Sequence, residues 1–128
     1  MKIVLTKKES QDIFYNALCN GLGEIRHYGK WLDYSGGRYL DAYELLNKKG
    51  TSACHEDILI QMLKSGCQIH IGDYEELDLR HTITMATVYE RVCKTPIENL
   101  LNIIKEEDDA WDADAVLQTV FFNEIIYG

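Results

Sequence analysis

The chain has few of the features that mark a secreted, membrane-spanning or fibrous protein. It has one proline, Pro96, no low-complexity stretch, and no apolar run that approaches the length of a membrane helix. Its apolar start at residues 3–5 is followed at once by Lys7, Lys8 and Glu9, which excludes the apolar stretch of a signal peptide. We therefore expect a cytoplasmic protein with no membrane segment.

Basic residues are also scarce. Lysine and arginine total 13 against 21 aspartate and glutamate residues, which gives a net charge of −8 and an isoelectric point near 4.9. The attraction that drives binding to DNA or RNA is then missing, so we expect no direct nucleic-acid contact. An acidic surface favours solubility and suits a basic protein partner.

Metal and cofactor motifs are absent from the sequence. The cysteines are Cys19, Cys54, Cys67 and Cys93. They include no Cys-x-x-Cys pair, and in a reducing compartment they predict free thiols. Residues 21–23 (GLG) lack the remaining residues of a dinucleotide fingerprint or a P-loop, and the acidic stretch 108–114 lacks the glycine of a calcium loop. We expect no metal and no cofactor.

The composition is that of one globular domain spanning residues 1–128, with 46% hydrophobic and 27% charged residues. Its periodicities predict an α+β fold of about six helices packed on a small antiparallel sheet. The sheet contains a hairpin at 67–84 and an aromatic strand near 25–34. Pairing Ile71 with Leu79 in the hairpin places His70 opposite Arg80.

Local signals predict where several helices begin and end. Thr6 and Glu9 form a capping box for the first helix, and Gly21 is placed to end it. A second helix is predicted over 38–48, and Thr51 or Ser52 is expected to cap a third.

The last segment, 113–127, is apolar on nearly every side. Asp109 or Asp112 is expected to cap it, but periodicity does not separate a buried helix from a buried strand over 116–127. One interpretation makes the segment the central element of the core. The other, which does not exclude the first, makes it the interface of a homodimer.

One candidate site is centred on Cys54, which falls in the first turn of the predicted third helix. A helix start lowers a thiol's pKa, so Cys54 is the candidate nucleophile, with His81 or His70 as its base. Cys67 and His81 share one face of the hairpin, and a three-ligand metal site with Cys54 is geometrically conceivable. Ordinary packing of these side chains is the alternative that we prefer.

A second candidate is an aromatic segment that can form a recognition surface. Tyrosine offers a rigid contact area and a polar tip, which suits a protein interface. The contact residues expected here are Tyr28, Tyr34, Arg38 and Tyr39. Aromatic residues also favour strands, so Trp31 in the same segment is assigned to the core.

Three longer segments carry a resemblance. Residues 17–23 (ALCNGLG), 90–96 (ERVCKTP) and 114–122 (DAVLQTVFF) resemble parts of small uncharacterised proteins encoded by bacteriophages and mobile elements of gut bacteria. The resemblance implies a genetic context and carries over no catalytic residue. Because no catalytic constellation is visible, the sequence favours a non-catalytic protein-binding or accessory protein of phage or mobile-element origin. The alternative is a small cysteine-dependent enzyme that uses Cys54.

Overall fold

The computed structural model describes residues 3–25, 29–32, 38–50, 54–73 and 80–125. These residues form six α-helices, one short 3₁₀ helix and three strands, so the predicted α+β class is confirmed. The elements are α1 Lys7–Ile25, β1 Gly29–Leu32, α2 Arg38–Lys48, α3 His55–Lys64, β2 Ile69–Asp73, β3 Arg80–Ile83, α4 Met85–Arg91 with the 3₁₀ turn Val92–Lys94, α5 Ile97–Ile104, and α6 Ala110–Phe122. None of the helices described is long and apolar enough to cross a membrane.

The three strands form one antiparallel sheet in the order β1–β2–β3. The predicted hairpin and the predicted aromatic strand both belong to it, whereas the strand order was not predicted from the sequence. The hairpin register differs from the prediction by two residues. Ile71 lies opposite His81 instead of Leu79, and His70 lies opposite Thr82 instead of Arg80. Because side chains alternate with a period of two, this shift leaves every residue on its predicted face.

Helix α6 is the centre of the core. Asp112 to Phe121 are all buried, and the helix packs along α1, where the rings of Phe14 and Phe121 lie 6.1 Å apart. The undecided segment 116–127 is therefore helical to Phe122, and Asn123 ends the helix with a left-handed backbone, φ 63°. Residues 113–121 are covered within one copy of the chain. The homodimer through 113–127 was inferred from an exposed apolar band, and residues 113–121 expose no such band. The dimer therefore stays a prediction.

The prediction that Gly21 ends the first helix is wrong, because α1 continues to Ile25. A Cβ atom at Gly21 would lie 3.0 Å from Leu117 Cδ1 and 3.2 Å from the Cβ of Ala113. The glycine therefore allows α1 and α6 to approach closely, which is a packing role that the local sequence does not reveal.

The C-terminal end of α6 is fixed by α4. Arg91 donates a hydrogen bond of 2.8 Å from Nη1 to the carbonyl oxygen of Val120. This carbonyl lies in the last turn of α6, where main-chain oxygens lack helical partners and the helix dipole is negative. A cation at this position satisfies the carbonyl and stabilises the helix end.

Candidate functional site

The residues proposed from the sequence are partly brought together at the start of α3. Cys54 is the residue that precedes the helix and not part of its first turn, and it has an extended backbone, φ −85° and ψ 172°. Its amide nitrogen donates to Asp57 Oδ2 at 3.3 Å, and its Sγ lies 3.1 Å from the same oxygen. Thr51 and Ser52, the predicted caps, lie outside the described residues.

Asp57 also joins α3 to α1. The hydroxyl of Tyr15 donates to Asp57 Oδ1 at 2.6 Å. This hydrogen bond is the main reason that the pKa of Asp57 lies below its ordinary value, since it stabilises the carboxylate. The pKa of Tyr15 is raised by the same bond, because its proton is held against a negative charge.

The electrostatics at Cys54 are opposite to those that a nucleophile needs. A hydrogen bond with the Glu56 side chain is the main cause that raises the pKa of the Cys54 thiol, and loss of solvent and the Asp57 charge add to it. A thiolate here would lie beside two carboxylates, whose repulsion exceeds the favourable field of the helix start. The lowered thiol pKa expected from the sequence is therefore not found.

The two histidines proposed as a base have other partners. The His81 ring meets Phe122 edge-on, with centroids 4.6 Å apart, at the end of α6. His70 Nδ1 lies 2.7 Å from the hydroxyl of Thr82 across the hairpin. Within the described part of the chain, no three histidine, cysteine, aspartate or glutamate residues are placed to hold a metal ion. The structure thus gives Cys54 two acidic neighbours, Glu56 and Asp57, in place of a basic one.

Of the aromatic candidates, Tyr39 is the one that the structure describes in full. Its hydroxyl lies 2.8 Å from His55 Nδ1, and the two rings are tilted at 42° with centroids 5.6 Å apart. Burial raises the pKa of Tyr39, and the charge of Glu56 adds to this. Arg38 begins α2, but its side chain is outside the description, as are Tyr28 and Tyr34.

These contacts make the start of α3 a junction of three helices. Tyr15 comes from α1, Tyr39 from α2, and their partners Asp57 and His55 from α3. Each tyrosine is half-buried and uses its hydroxyl within the junction. The two hydrogen bonds therefore fix the positions of the three helices relative to one another. Because these polar groups bind one another, the arrangement is typical of a structural contact and not of a substrate-binding site.

A groove that the sequence analysis did not identify runs between α1 and the end of α5. It encloses about 410 Å³. Its apolar lining consists of Leu5, Ile13, Ile103 and Ile104, and its acidic lining of Glu9, Asp12, Glu106 and Asp108. Asn16 and Asn20 complete it. Within the described part of the chain, these ten residues line the groove and none of them is basic.

The acidic side of the groove includes Glu9, which takes part in the cap of α1. The Thr6 amide donates to Glu9 Oε1 at 2.9 Å, and this bond lowers the pKa of Glu9. The hydroxyl of Thr6 accepts from the Glu9 amide at 3.1 Å, so the predicted capping box is confirmed. Lys8 lies 3.2 Å from Asp12, but both side chains are mostly exposed and the pair is weak.

The far wall of the groove, the connection from α5 to α6, is held by Asp112. Its Oδ1 accepts from Asn99 at 2.8 Å and from Asn102 at 3.2 Å, and its Oδ2 accepts from the Asp109 amide at 3.0 Å. Asp109 in turn caps α6 by accepting from the amides of Trp111 and Asp112. These bonds join α5 and the connection to the first turn of α6.

Two features of the sequence hint at the groove, but neither locates it. The acidic run at 106–109 predicts only that the helix before it ends. In the sequence, Ile104 belongs to the apolar stripe of that helix and is expected to be buried like the rest of the stripe. In the structure Ile104 is 51% exposed, because the stripe of α5 is wider than the surface that covers it. Only the packing of α1 and α5 on α6 places these residues in one groove.

Comparison with known proteins finds no matching family model, no similar curated protein and no similar solved structure. The resemblance to proteins of phages and mobile elements therefore stays a prediction, and the function must be inferred from the site itself.

Proposed function

We propose that this chain is a non-catalytic protein-binding or accessory protein, of phage or mobile-element origin, whose α1–α5 groove receives a basic amphipathic helix of a partner. The observation that supports this best is the combination of an apolar floor with four carboxylates and, among the lining residues that the structure describes, no basic side chain. Such a groove offers burial to apolar side chains and paired charge to the lysines or arginines beside them.

The chemistry of the groove favours this occupant over a second copy of the chain. Ile103 and Ile104 come from the last turn of α5, and Leu5 and Ile13 lie across from them. An amphipathic helix presents apolar residues at spacings of three and four, which matches a short apolar floor between two walls. The net charge of −8 attracts a basic segment from a distance and repels another acidic one.

The alternative, a cysteine-dependent enzyme using Cys54, has less support. The pKa of the thiol is raised and its neighbours are carboxylates, whereas a nucleophilic cysteine needs a lowered pKa or an adjacent base. His81 and His70, the bases suggested by the sequence, contact Phe122 and Thr82 instead.

The proposal is tested by titrating ¹⁵N-labelled protein with a synthetic helical peptide that has leucine on one face and lysine on the other. Two control peptides are required: one with the same composition in scrambled order, and one with glutamate in place of lysine. We expect chemical-shift changes around the groove for the first peptide alone, and weaker binding as salt is added. Equal binding of the scrambled peptide would refute the proposal.

Matched variants identify the groove as the binding surface. Asp108→Lys and Ile104→Glu should each weaken peptide binding by about tenfold, because one reverses a wall charge and the other places charge on the floor. Glu124→Lys and Ile125→Glu make the same changes at exposed positions outside the groove lining, and they should leave the affinity within about twofold. Equal effects of both pairs would place binding elsewhere.

A further inference from the structure

Helix α2 packs on the protein by one side and exposes the rest. Its contacts are chiefly with α3, and Ala42 is buried, alone among the α2 residues whose burial is described. Three large apolar side chains are exposed: Leu40 is 56%, Tyr43 40% and Leu45 39% exposed. Leu40 and Tyr43 lie on one side of α2, and Leu45 lies about 140–160° around the helix from them, on the other side.

A second groove lies along the Leu45 side of α2, between α2 and the end of α3, and encloses about 510 Å³. Its floor is formed by Ala42, Leu45, Met62 and Cys67. Its α2 wall carries Asp41 in the first turn of the helix, Glu44 near the middle and Lys48 at the end. Unlike the α1–α5 groove, this one carries charges of both signs.

The order of the charges decides which partner the groove fits. Asp41 and Lys48 are seven residues apart, about two turns, so they lie on the same side of α2 at opposite ends. A two-fold axis near the middle of α2 sets two copies antiparallel, and it brings Asp41 of each copy opposite Lys48 of the other. The same axis brings Leu45 of both copies together on one side of the contact and Glu44 of both copies together on the other, so that two Asp41–Lys48 attractions oppose one Glu44–Glu44 repulsion.

We propose that the α2–α3 groove is a self-association surface, in which the α2 helices of two copies pack antiparallel. The inference does not depend on the partner helix proposed for the α1–α5 groove, since the two grooves have no described lining residue in common. Helix α2 has 11 residues and is about 16 Å long, so the interface is small and the dimer weak, with a Kd above about 1 μM.

The test is sedimentation equilibrium under reducing conditions, over protein concentrations from micromolar to millimolar. We expect a monomer–dimer equilibrium in the wild type. Asp41→Lys and Lys48→Asp each place like charges opposite one another twice per dimer, and each should weaken self-association by about tenfold or more. A mixture of the two variants restores opposite charges at both positions, so the two should associate with each other more tightly than either does with itself.

The control is Asp12→Lys, which changes the net charge as Asp41→Lys does but lies in the other groove. It lowers the repulsion between copies and should leave dimerisation unchanged or slightly stronger, whereas Asp41→Lys should weaken it. Circular dichroism of each variant confirms that α2 is retained. A wild type that is monomeric at millimolar concentration, or a dimer that both charge reversals leave intact, overturns the inference. Failure of the mixed variants to associate also overturns it.

Discussion

Asp112→Ala tests whether the α5–α6 connection is held by one carboxylate. Asp112 is only 4% exposed, and it accepts hydrogen bonds from two asparagine side chains of α5 and one main-chain amide. Hydrogen bonds to a charged group contribute about 1.5–3 kcal/mol each, and buried donors that lose their acceptor cost about 1–3 kcal/mol. Since the three bonds share one carboxylate they do not add fully, and we expect a loss of about 3–4 kcal/mol in the free energy of unfolding.

Urea unfolding followed by circular dichroism measures this loss. The matched control is Asp108→Ala, an exposed carboxylate on the same connection, which should change the free energy of unfolding by less than about 0.5 kcal/mol. Asp112→Asn keeps the shape of the side chain but places an NH₂ group where a carboxylate oxygen accepted hydrogen bonds. Its loss in the free energy of unfolding should fall between those of Asp112→Ala and Asp108→Ala.

The pH dependence gives a second test with a fixed sign. Hydrogen bonds from Asn99, the Asp109 amide and Asn102 outweigh the opposing effect of burial and hold the pKa of Asp112 below its ordinary value. The carboxylate therefore stabilises the fold fully above its unfolded pKa of about 3.9, and this contribution is lost as the pH falls through the folded pKa. The stability difference between wild type and Asp112→Ala should narrow on acidification from pH 6 toward pH 3. A difference under 1 kcal/mol at neutral pH, or one that stays constant with acid, would refute the reasoning.

Three further predictions follow from single contacts. Gly21→Val should destabilise the protein by about 3 kcal/mol in urea unfolding, because its side chain would meet α6, whereas Asn20→Val on the exposed side of α1 should cost under about 1 kcal/mol. Iodoacetamide labelling of Cys54, followed by peptide mass mapping, should have a midpoint above the ordinary thiol pKa, and Glu56→Gln should lower that midpoint. A midpoint below the ordinary value would instead favour the enzyme alternative. Arg91→Met should cost about 1–2 kcal/mol and speed hydrogen exchange at the end of α6; unchanged exchange there would show that this contact does not hold the helix end.

Much of the secondary structure could be predicted because its signals are local. The capping box of Thr6 and Glu9 and the bounds of α2 depend on neighbouring residues and agree with the structure. The alternation of apolar and polar residues likewise indicates the face of each hairpin residue. It does not fix the pairing register, which came out two residues away from the prediction.

The sequence by itself determined the fold class, the acidic surface and the lack of a recognisable catalytic motif. Only the tertiary structure decided the roles of Gly21 and Cys54, because each depends on residues from other elements or on the geometry of a helix start. Gly21 lies inside α1 at the point where α6 packs closely against it. Cys54 lies beside the carboxylates of Glu56 and Asp57, whose effect on the thiol pKa is not predicted from the position at a helix start alone. The two grooves arise where helices distant in the sequence come together: α2 lies against α3, and α1 and α5 both lie against α6. The acidic lining of the α1–α5 groove is assembled from two separate segments, so its charge pattern depends on the tertiary structure, whereas the charged residues described in the α2–α3 groove all come from α2.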